Sequence, residues 1–335
     1  MNYPSGKKNI LVTGGAGFIG SHLCDALAQD NHVICFDNFI TGSEKNIDHL
    51  LKNPNFEFIK HDITLPFKLE DFPELKKFKA GLQAVQEIYH LACPTSPKEY
   101  NRFPIETLMA NSHGTFNVLE LAKRINASFL FMSTAAIYGE LEDANGVKED
   151  NCGNVDPIGP RSCYNEGKRF AESLTNNFHT KEGVNTKIAR IFNTFGPRMK
   201  LDDGRMIPDF IVNALMQKIV YVYGVETERG SYCYISDMVD GLIKLMATDI
   251  SAPVNLGSDH SLLLSEVAKK VIKIIGSSSQ VEFKEHLPYT AKQIMPDISL
   301  AKETIGWFPM VSLEDGLQKT IEYMKVNMGE YKAEL

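Results

Sequence analysis

The stretch SCYNEGKRFAESL places a tyrosine and a lysine four residues apart, at Tyr164 and Lys168. Four residues are about one helical turn, so on a helix the two side chains share a face. A phenol has a pKa near ~10, and a neighbouring ammonium group lowers it toward the range in which the phenolate can accept a proton. The spacing alone does not identify such a site, because Tyr3 and Lys7 repeat it in an N-terminal stretch that contains proline and glycine.

The strongest single motif is ILVTGGAGFIGSHLCDAL, in which a β-rich run ends at Thr13 and a helical pattern follows Gly14, Gly17 and Gly20. Glycines at this spacing allow a tight turn, close approach of the backbone to a pyrophosphate, and close packing of the helix on the strand. The helix N-terminus then offers unpaired N–H groups and the positive end of its dipole. The motif therefore predicts a dinucleotide site.

Acidic and hydroxyl side chains stand at the ends of other predicted strands. HVICFDN reaches Asp37, which can bind both ribose hydroxyls and repel a 2′-phosphate, so we predict NAD rather than NADP. Asp62 follows the third run, where it can bind the adenine amine or cap a turn. FLFMST ends in Ser133 and Thr134, and Thr134 could hold a substrate hydroxyl whose proton Tyr164 removes as hydride leaves the carbon.

Six β-rich runs alternate with helical patterns up to residue 196. This alternation predicts an α/β fold with a Rossmann-type doubly wound parallel sheet. Beyond residue 196 the segments are shorter and richer in Gly and Pro, which predicts a smaller, interleaved C-terminal substrate-binding domain. We predict an NAD-binding domain at 1–196, with returns near 231–257, and a domain at 197–335 that mainly binds substrate.

Composition excludes several classes of function. The 335 residues are 43% hydrophobic and 23% charged, with a net charge of -7, which argues against nucleic-acid binding. No apolar run is long enough to span a bilayer, and the N-terminus has no signal-peptide pattern, so we expect a cytoplasmic protein without a membrane partner. Six cysteines and nine histidines show no metal-ligand spacing, so we expect reduced thiols and no metal.

Four further strings carry a family resemblance: HLACPTSPKEY, NVDPIGPRSCYNEGKR, ARIFNTFGPRMKLDDGRM and MPDISLAKETIGW. With the glycine motif, Thr134, Tyr164 and Lys168, they resemble the extended short-chain dehydrogenase/reductase (NAD-dependent epimerase/dehydratase) family over nearly the whole chain. Within it they are most similar to the UDP-glucuronate decarboxylase (UDP-xylose synthase) group. The resemblance implies NAD as cofactor and a UDP-linked nucleotide sugar as substrate. It also implies a homodimer in which the helix of Tyr164 packs into a four-helix bundle.

The resemblance also implies residue roles. Tyr164 would be the base, Lys168 would lower its pKa and bind the nicotinamide ribose, and Thr134 would orient the sugar hydroxyl. The predicted NAD contacts are Gly14, Gly17, Phe18, Ile19, Gly20, Asp37, Asn38, Asp62, Ile63, Leu91, Ala92, Asn111, Tyr164 and Lys168. The predicted substrate contacts are Pro94, Thr134, Asn193, Arg205, Tyr223 and Arg229.

Two of these substrate contacts carry open alternatives. Asn193 resembles the ligand of the substrate diphosphate, and it could instead be a turn residue before Gly196 and Pro197. Arg205 lies where the family binds the nucleotide part, and it could equally be a solvated surface charge.

The strand end at Thr134 departs from the decarboxylase group. That group has Thr-Ser-Glu where this chain has Thr134, Ala135 and Ala136, and 4,6-dehydratases of the family use Asp-Glu at the last two positions. Two alanines have no proton to give or take, so we do not expect 4,6-dehydration. The sequence TAAIYG more closely resembles the strand end of a 4-epimerase.

Two arginines of the group are also absent. Decarboxylases carry one seven residues before Asp237, thought to act near the sugar C5, where this chain has Gly230. Arg229 is one residue earlier, and one residue on a strand is the difference between two faces, so its guanidinium should point away unless a bulge changes the register. Ile294 also stands where the family usually has arginine.

Two enzymatic hypotheses follow. In the first, the chain is a UDP-glucuronate decarboxylase-like enzyme that forms UDP-xylose or a 4-keto-pentose. Oxidation at C4 makes a β-keto acid that loses CO2 readily, while Ala136 and Gly230 mainly remove groups that reprotonate C5 and position the carboxylate. In the second, it is a 4-epimerase or 4-dehydrogenase of an uncharged sugar. A non-catalytic binding protein is a third alternative, against which the intact Thr134, Tyr164 and Lys168 argue.

Overall fold

The structure is a computed structural model that describes residues 6–78, 85–202, 204–286 and 293–334. Tyr3, of the repeated tyrosine and lysine pair, lies outside these residues. The described strands are β1 (Asn9–Thr13), β2 (His32–Asp37), β3 (Phe56–Lys60), β4 (Val85–His90), β5 (Ser128–Thr134), β6 (Thr186–Ile191), β7 (Thr194–Phe195), β8 (Val220–Tyr223), β9 (Arg229–Gly230), β10 (Cys233–Tyr234), β11 (Pro253–Leu256), β12 (Leu262–Leu263) and β13 (Val281–Lys284).

The described helices are α1 (Phe18–Leu27), α2 (Pro97–Arg102), α3 (Pro104–Met109), α4 (Thr115–Ile125), α5 (Ser162–Glu182), α6 (Met206–Leu215), α7 (Ile235–Met246), α8 (Leu264–Ile275), α9 (Ser299–Ile305) and α10 (Leu313–Glu334). Among the described residues, none of these helices is both long and apolar enough to cross a bilayer.

Seven strands form one parallel sheet in the order β11-β6-β5-β4-β1-β2-β3. The predicted Rossmann-type α/β fold is therefore confirmed, and the six predicted β-rich runs are β1 to β6. The chain runs outward from β1 through β2 to β3 and then resumes on the other side of β1 with β4. This reversal of strand order opens a crevice beyond the carboxyl ends of β1 and β4, which is where open α/β sheets bind ligands.

Side chains alternate across the sheet and build one core on each face. Leu11 and Phe129 pack in the cluster that contains α4 and α5 residues, whereas Val12 and Leu130, each one position later, pack in the cluster that contains α1 and α7. This period of two is the geometry of a strand covered on both faces. The edge that borders this crevice is thus formed by strand ends whose directions are fixed by packing on both sides.

Three two-stranded sheets, β7 with β10, β9 with β12 and β8 with β13, build the smaller half with α6, α8 and α10. Asp237 in α7 ties the C-terminal segment to the large sheet. Its carboxylate Oδ2 accepts the N–H groups of Met310 (3.0 Å) and Val311 (2.8 Å), and its carbonyl accepts the Trp307 indole N–H at 2.9 Å. A Cβ at Gly241 would lie 2.9 Å from the indole, so this close packing requires glycine.

A buried ion pair fixes α5 against the ends of β5 and β6. Arg190 donates from Nε and Nη2 to the two oxygens of Glu172, at 3.0 and 2.8 Å, and the Ser133 hydroxyl donates to the same carboxylate at 2.5 Å. Arg190 also donates to the Tyr138 hydroxyl (3.0 Å) and to the Glu149 carbonyl (2.7 Å). Burial opposes the charge of Arg190, but its bonds to Glu172 outweigh burial and raise its pKa.

We predict that Glu172→Gln lowers the free energy of unfolding by about 3 kcal/mol, because it leaves the buried Arg190 charge without its counter-ion. Urea unfolding followed by circular dichroism measures the change. Glu182→Gln is the matched control, since Glu182 lies on the same helix in an exposed pair with Lys123 and should leave the unfolding midpoint unchanged. Equal midpoints for Glu172→Gln and the wild type would contradict the assignment of α5 anchoring to this pair.

Candidate active site

A cleft of about 1060 Å³ follows the carboxyl ends of β1, β2, β4 and β5 and continues between them and the smaller half. Small-molecule pockets usually enclose ~300–1,000 Å³. The cleft is therefore large for a single small ligand and has room for a dinucleotide beside a second molecule.

The glycine motif forms one end of the cleft and leaves no space for side chains. Gly14 has φ +75°, and a Cβ there would lie 2.7 Å from the Ala92 nitrogen. A Cβ at Gly20 would lie 2.1 Å from the Gly14 oxygen. Helix α1 starts after Gly17 with no side-chain cap and no acidic residue in its first turn. Its first N–H groups therefore face the cleft as an anion site, which fits the pyrophosphate of a dinucleotide.

Asp37 lies at the end of β2 beside this motif and is almost fully buried. Its two oxygens accept the N–H groups of Ala16 (3.0 Å) and Phe39 (2.8 Å). Burial raises its pKa, and these two hydrogen bonds oppose the rise. Each oxygen keeps a lone pair, so the carboxylate can also accept the two hydroxyl groups of a ribose.

Asp62 lies along the same side of the cleft and caps a turn. Its Oδ1 accepts the N–H (2.9 Å) and hydroxyl (2.7 Å) of Thr64, and its Oδ2 accepts the Asn38 amide at 3.0 Å. Burial raises its pKa, but these hydrogen bonds outweigh burial and leave the pKa below the usual value. The turn-capping alternative is thus realised, and adenine binding by Asp62 stays a prediction.

Tyr164 and Thr134 line the cleft together, and Lys168 lies behind them. Tyr164 and Lys168 lie one turn apart on α5, as predicted, and Tyr164 faces the cleft beside Thr134. Lys168 lies just beneath the cleft wall, where its Nζ donates to the Met132 carbonyl at 2.9 Å and sits 4.7 Å from the centre of the Phe131 ring. The Thr134 hydroxyl accepts the Ala136 N–H at 3.2 Å, which fixes its direction at the strand end.

Burial dominates the electrostatics of this trio. It raises the pKa of Tyr164 well above the usual value, and Cys93 adds to the rise, while a hydrogen bond with Thr134 and the charge of Arg205 lower it in part. Burial also lowers the pKa of Lys168. The net shift of the Tyr164 pKa is therefore upward, opposite to the lowering expected from Lys168, because burial removes both groups from water. The positive nicotinamide ring is the remaining charge that can lower it.

Arg229 does not reach the cleft, so its prediction as a substrate contact is wrong. It is exposed, and its guanidinium donates to the hydroxyl (2.7 Å) and the carbonyl (2.8 Å) of Ser261. Strand β9 pairs with β12 in regular antiparallel register, so no bulge turns the side chain inward. Gly230 is the inward position, since a Cβ there would lie 3.2 Å from the Tyr232 hydroxyl and 3.5 Å from Gln293 Oε1, both of which line the cleft.

The other departures from the decarboxylase group also face this region. Ala136 lines the cleft next to Tyr164. Ile294 is buried in a small apolar cluster with Ile137 and Phe192 and lines the cleft from that side. The wall that would carry a glutamate and two arginines therefore carries two methyl-bearing side chains and a glycine.

Arg205 is tied to the cleft wall, where its Nη2 donates to the Thr95 hydroxyl at 2.8 Å and its charge acts on Tyr164. Arg205 is thus part-buried and held at the cleft, and its contact with the nucleotide part of the substrate stays a prediction. Asn193 lines the cleft and donates to Gln293 Oε1 (2.6 Å) and to the Ser231 carbonyl (3.2 Å).

Most predicted site residues line this one cleft. They are Gly14, Gly17, Phe18, Ile19, Gly20, Asp37, Asn38, Asp62, Ile63, Leu91, Ala92, Pro94, Thr134, Tyr164, Asn193, Arg205 and Tyr223. Asn111 is buried behind the wall, where its amide donates to Cys93 Sγ (3.0 Å) and to the Thr107 carbonyl (2.8 Å). Direct NAD contact by Asn111 is therefore not supported, and it supports Cys93 instead.

Tyr100 and Arg161 are among the cleft residues that were not predicted. Tyr100 in α2 stacks on Tyr164, with ring centroids 5.2 Å apart and an angle of 10° between the rings. Arg161, just before α5, donates from Nε to the Tyr100 hydroxyl at 3.3 Å. Both lie within the strings that carry the family resemblance, but their spacing in sequence gives no sign that they meet.

The comparisons with known proteins agree with this geometry. Residues 10–257 match the family model described as the NAD dependent epimerase/dehydratase family. The chain belongs to this family. Among curated relatives, UDP-glucuronic acid decarboxylase 1 of Danio rerio is 44% identical over 318 residues, which is 95% of this chain and 72% of that protein. UDP-glucuronic acid decarboxylase 5 of Arabidopsis thaliana is 43% identical over 325 residues, 96% of this chain and 91% of that protein.

Solved structures of epimerases superpose on the same fold. UDP-glucuronic acid 4-epimerase from Bacillus cereus, in complex with UDP-glucuronic acid and NAD, matches with a TM-score of 0.81 and 30% identity over 95% of this chain and 99% of that one. UDP-glucose 4-epimerase from Thermotoga maritima matches with a TM-score of 0.83 and 27% identity over 96% of this chain and 99% of that one. The predicted family and NAD as cofactor are thus confirmed, and the chain is an NAD-dependent enzyme of the extended short-chain dehydrogenase/reductase type.

For this epimerase/dehydratase-family enzyme we predict that activity rises with pH, because the pKa of Tyr164 is raised and the fraction of Tyr164 present as phenolate increases at higher pH. Lys168→Met should move the rising limb of the pH–rate profile upward by about one unit, since removal of a cation raises the pKa of Tyr164 further. The rate of reduction of bound NAD by the nucleotide sugar, followed by absorbance, measures this.

Lys187→Met is the matched control, because Lys187 is a fully buried lysine on β6 that does not line the cleft. Its profile should overlay that of the wild type. If the pH–rate profile of Lys168→Met rises at the same pH as that of the wild type and differs only by a lower rate, the proposed electrostatic role of Lys168 is contradicted.

Proposed function

We propose that this protein is a UDP-glucuronate decarboxylase-like enzyme that oxidises C4 of the sugar and releases CO2, with UDP-xylose or a UDP-4-keto-pentose as product. The observation that carries the proposal is the meeting of Tyr164 and Thr134 in the cleft that also contains the glycine motif. The curated relatives at 43–45% identity, which are UDP-glucuronic acid decarboxylases, support the choice of sugar.

Each residue of the trio has a step in this proposal. Thr134 holds the C4 oxygen, and Tyr164, as phenolate, takes the proton of the C4 hydroxyl. Lys168 stabilises the phenolate and binds the nicotinamide ribose. NAD, when bound, supplies the hydride acceptor. The motif from Gly14 to Gly20 holds its pyrophosphate, and Asp37 holds its adenosine ribose.

The second step uses the same two hydroxyl groups. A ketone at C4 makes the C5 carboxylate that of a β-keto acid, so the C5–carboxyl bond breaks and its electron pair forms an enolate on the C4 oxygen. Tyr164, now protonated, and Thr134 donate hydrogen bonds to that oxygen. Decarboxylation therefore does not require the glutamate or the arginines that this chain lacks.

Basic side chains remain in the cleft although Gly230 and Ile294 stand in place of arginines. Arg205 and Arg161 both line it. We propose that Arg205 and Asn193 contact the nucleotide diphosphate, with Pro94 and Tyr223 as further walls of the substrate site. Residues 1–196 with 231–257 would hold NAD, and most of 197–335 the nucleotide sugar, which the pairing of β11 with β6 supports.

A second candidate function is 4-epimerisation, or 4-dehydrogenation, of an uncharged UDP-sugar. Ala136 and Gly230 favour it, because they remove an acid and a cation that a carboxylate-bearing substrate would use. In this reaction the C4 ketone turns within the cleft and receives hydride on its opposite face. The UDP-glucose 4-epimerase of Thermotoga maritima, with its similar fold, supports this alternative.

Incubation with UDP-glucuronate and NAD tests the proposal, with CO2 captured and the sugar identified by NMR. We expect CO2 release from the wild type and a loss of about 100-fold or more in Tyr164→Phe, because that variant keeps the ring but has no base. No CO2 after prolonged incubation, together with interconversion of UDP-glucose and UDP-galactose, would establish the epimerase alternative instead.

We also propose that the enzyme is a cytosolic homodimer. Six unpaired thiols support a reducing compartment. Exposed apolar side chains of Ile105, Phe116 and Phe170, from α3, α4 and α5, support a helical interface.

Phe170→Glu should convert the dimer to a monomer in sedimentation velocity. Val326→Glu is the matched control, since it also replaces an exposed apolar side chain by an acid but lies on α10, and it should leave the dimer intact. A monomeric wild type would refute the dimer.

A further inference from the structure

Tyr100 is a phenol that stacks directly on the Tyr164 ring in the cleft. It is only 2% exposed yet lines the cleft, and its ring lies parallel to that of Tyr164. Helix α2, which carries it, begins at the N-cap Ser96, whose hydroxyl accepts the Glu99 N–H at 3.3 Å. The Tyr100 carbonyl accepts the Cys163 thiol at 3.6 Å, so α2 is tied to the start of α5. Tyr100 is therefore held at a fixed position beside the reacting groups.

The charge around Tyr100 suits a proton donor. Burial raises its pKa, so the phenol carries its proton at neutral pH, and the charge and hydrogen bond of Arg161 lower the pKa in part. Arg161 donates to the phenol oxygen at 3.3 Å. A phenolate formed when Tyr100 gives up its proton would be stabilised by that guanidinium. The pair thus has both properties of a general acid: a proton at neutral pH and a stabilised conjugate base.

The same cluster of side chains contains the position at which the decarboxylase group has a proton-bearing residue and this chain does not. Ala136 packs against Tyr100, Cys163 and Tyr164, where the decarboxylase group has a glutamate by its sequence pattern. After CO2 leaves, C5 needs a proton to become the CH2 of a pentose. A methyl group cannot supply it, so another acid beside the sugar must do so, or water must enter.

Other protic groups near the site are already engaged. The Ser133 hydroxyl donates to Glu172. The Cys93 thiol donates to the Pro94 carbonyl at 3.1 Å and accepts from Asn111. His90 is buried between the hydroxyls of Thr13 and Thr115, and burial, with Lys168, lowers its pKa to about 3. Tyr100 differs from these three groups because its oxygen accepts a hydrogen bond from a cation, Arg161.

We propose that Tyr100 is a catalytic acid that protonates C5, and that Arg161 is the positioning residue that stabilises its phenolate. This inference rests on the proposed decarboxylation. The enolate electron pair between C4 and C5 takes the phenolic proton to form the C5–H bond, and the C4 carbonyl re-forms. The Tyr100 oxygen keeps the O–H electron pair as phenolate and regains a proton from water. In the reverse direction the phenolate removes a C5 proton from the ketone.

The test follows C5 directly. Separately prepared UDP-4-keto-pentose is incubated in D2O with enzyme saturated with NAD, which cannot reduce the ketone, and deuterium at C5 is counted by NMR. We expect the wild type to catalyse exchange and Tyr100→Phe to lose about 100-fold of that rate. Reduction of NAD on mixing with UDP-glucuronate, which precedes C5 protonation, should stay within about threefold of the wild type, since the ring stack on Tyr164 is retained.

Two further variants separate chemistry from structure. Tyr100→Phe combined with Ala136→Glu should recover exchange, because it supplies a proton at the position used by the decarboxylase group. Tyr89→Phe is the matched control, as Tyr89 is a buried tyrosine on β4 that does not line the cleft. It should exchange like the wild type, and thermal unfolding verifies that all variants fold.

The outcomes are distinguishable from those for the proposed function. Equal exchange in wild type and Tyr100→Phe overturns the assignment, as does a wild type that catalyses no exchange. An equal loss of exchange and of NAD reduction in Tyr100→Phe also overturns it, since that pattern indicates a structural role. Exchange that depends on Tyr100 in an enzyme that releases no CO2 from UDP-glucuronate would refute the decarboxylation alone and leave the C5 acid in place.

Discussion

The ion pair between Glu172 and Arg190 is the interaction on which the reaction geometry depends. Glu172 lies one turn beyond Lys168 on α5, and Arg190 belongs to β6, so their two hydrogen bonds join the helix of the proposed base to the sheet. Ser133, next to Thr134, donates to the same carboxylate. One buried carboxylate therefore positions both the strand end and the helix. Tyr164 and Thr134 are held in place by the protein itself and do not depend on the substrate to position them.

Burial determines which protonation state the side chains at the reacting groups favour. Tyr164, Lys168 and Tyr100 all lose water, and each shifts toward its neutral form for that reason. Neutral side chains at the reacting groups add little charge of their own beside a cationic nicotinamide ring and an anionic nucleotide. The cofactor would then complete the charge distribution that the base requires, which links cofactor binding to proton transfer without a conformational change.

The sequence predicts the fold, and the places of the glycine motif and Asp37 in it, because these depend on local patterns. The strand before Gly14 and the helix after Gly20 are visible as periodicity, and Asp37 has a fixed place at the end of its strand. Tyr100 and Arg161 were not predicted because their meeting depends on how α2 packs against α5, which no short-range pattern encodes. The rise in the Tyr164 pKa was not predicted for a similar reason, since it comes mainly from burial by surrounding elements that no short-range pattern encodes.

Arg229 and Gly230 show how little separates this cleft from one with a different charge. The link between β9 and β10 contains two residues, Ser231 and Tyr232. Loss of one of them would leave Arg229 seven residues before Asp237, at the place along the chain that Gly230 now occupies. Substrate preference in this fold can thus change by loop length as well as by substitution. Successive residues of a strand point to opposite faces, so the deletion of one residue can change which side chain faces the cleft. Insertions and deletions in this link are therefore a route by which relatives with the same catalytic trio could diverge in the sugars they accept.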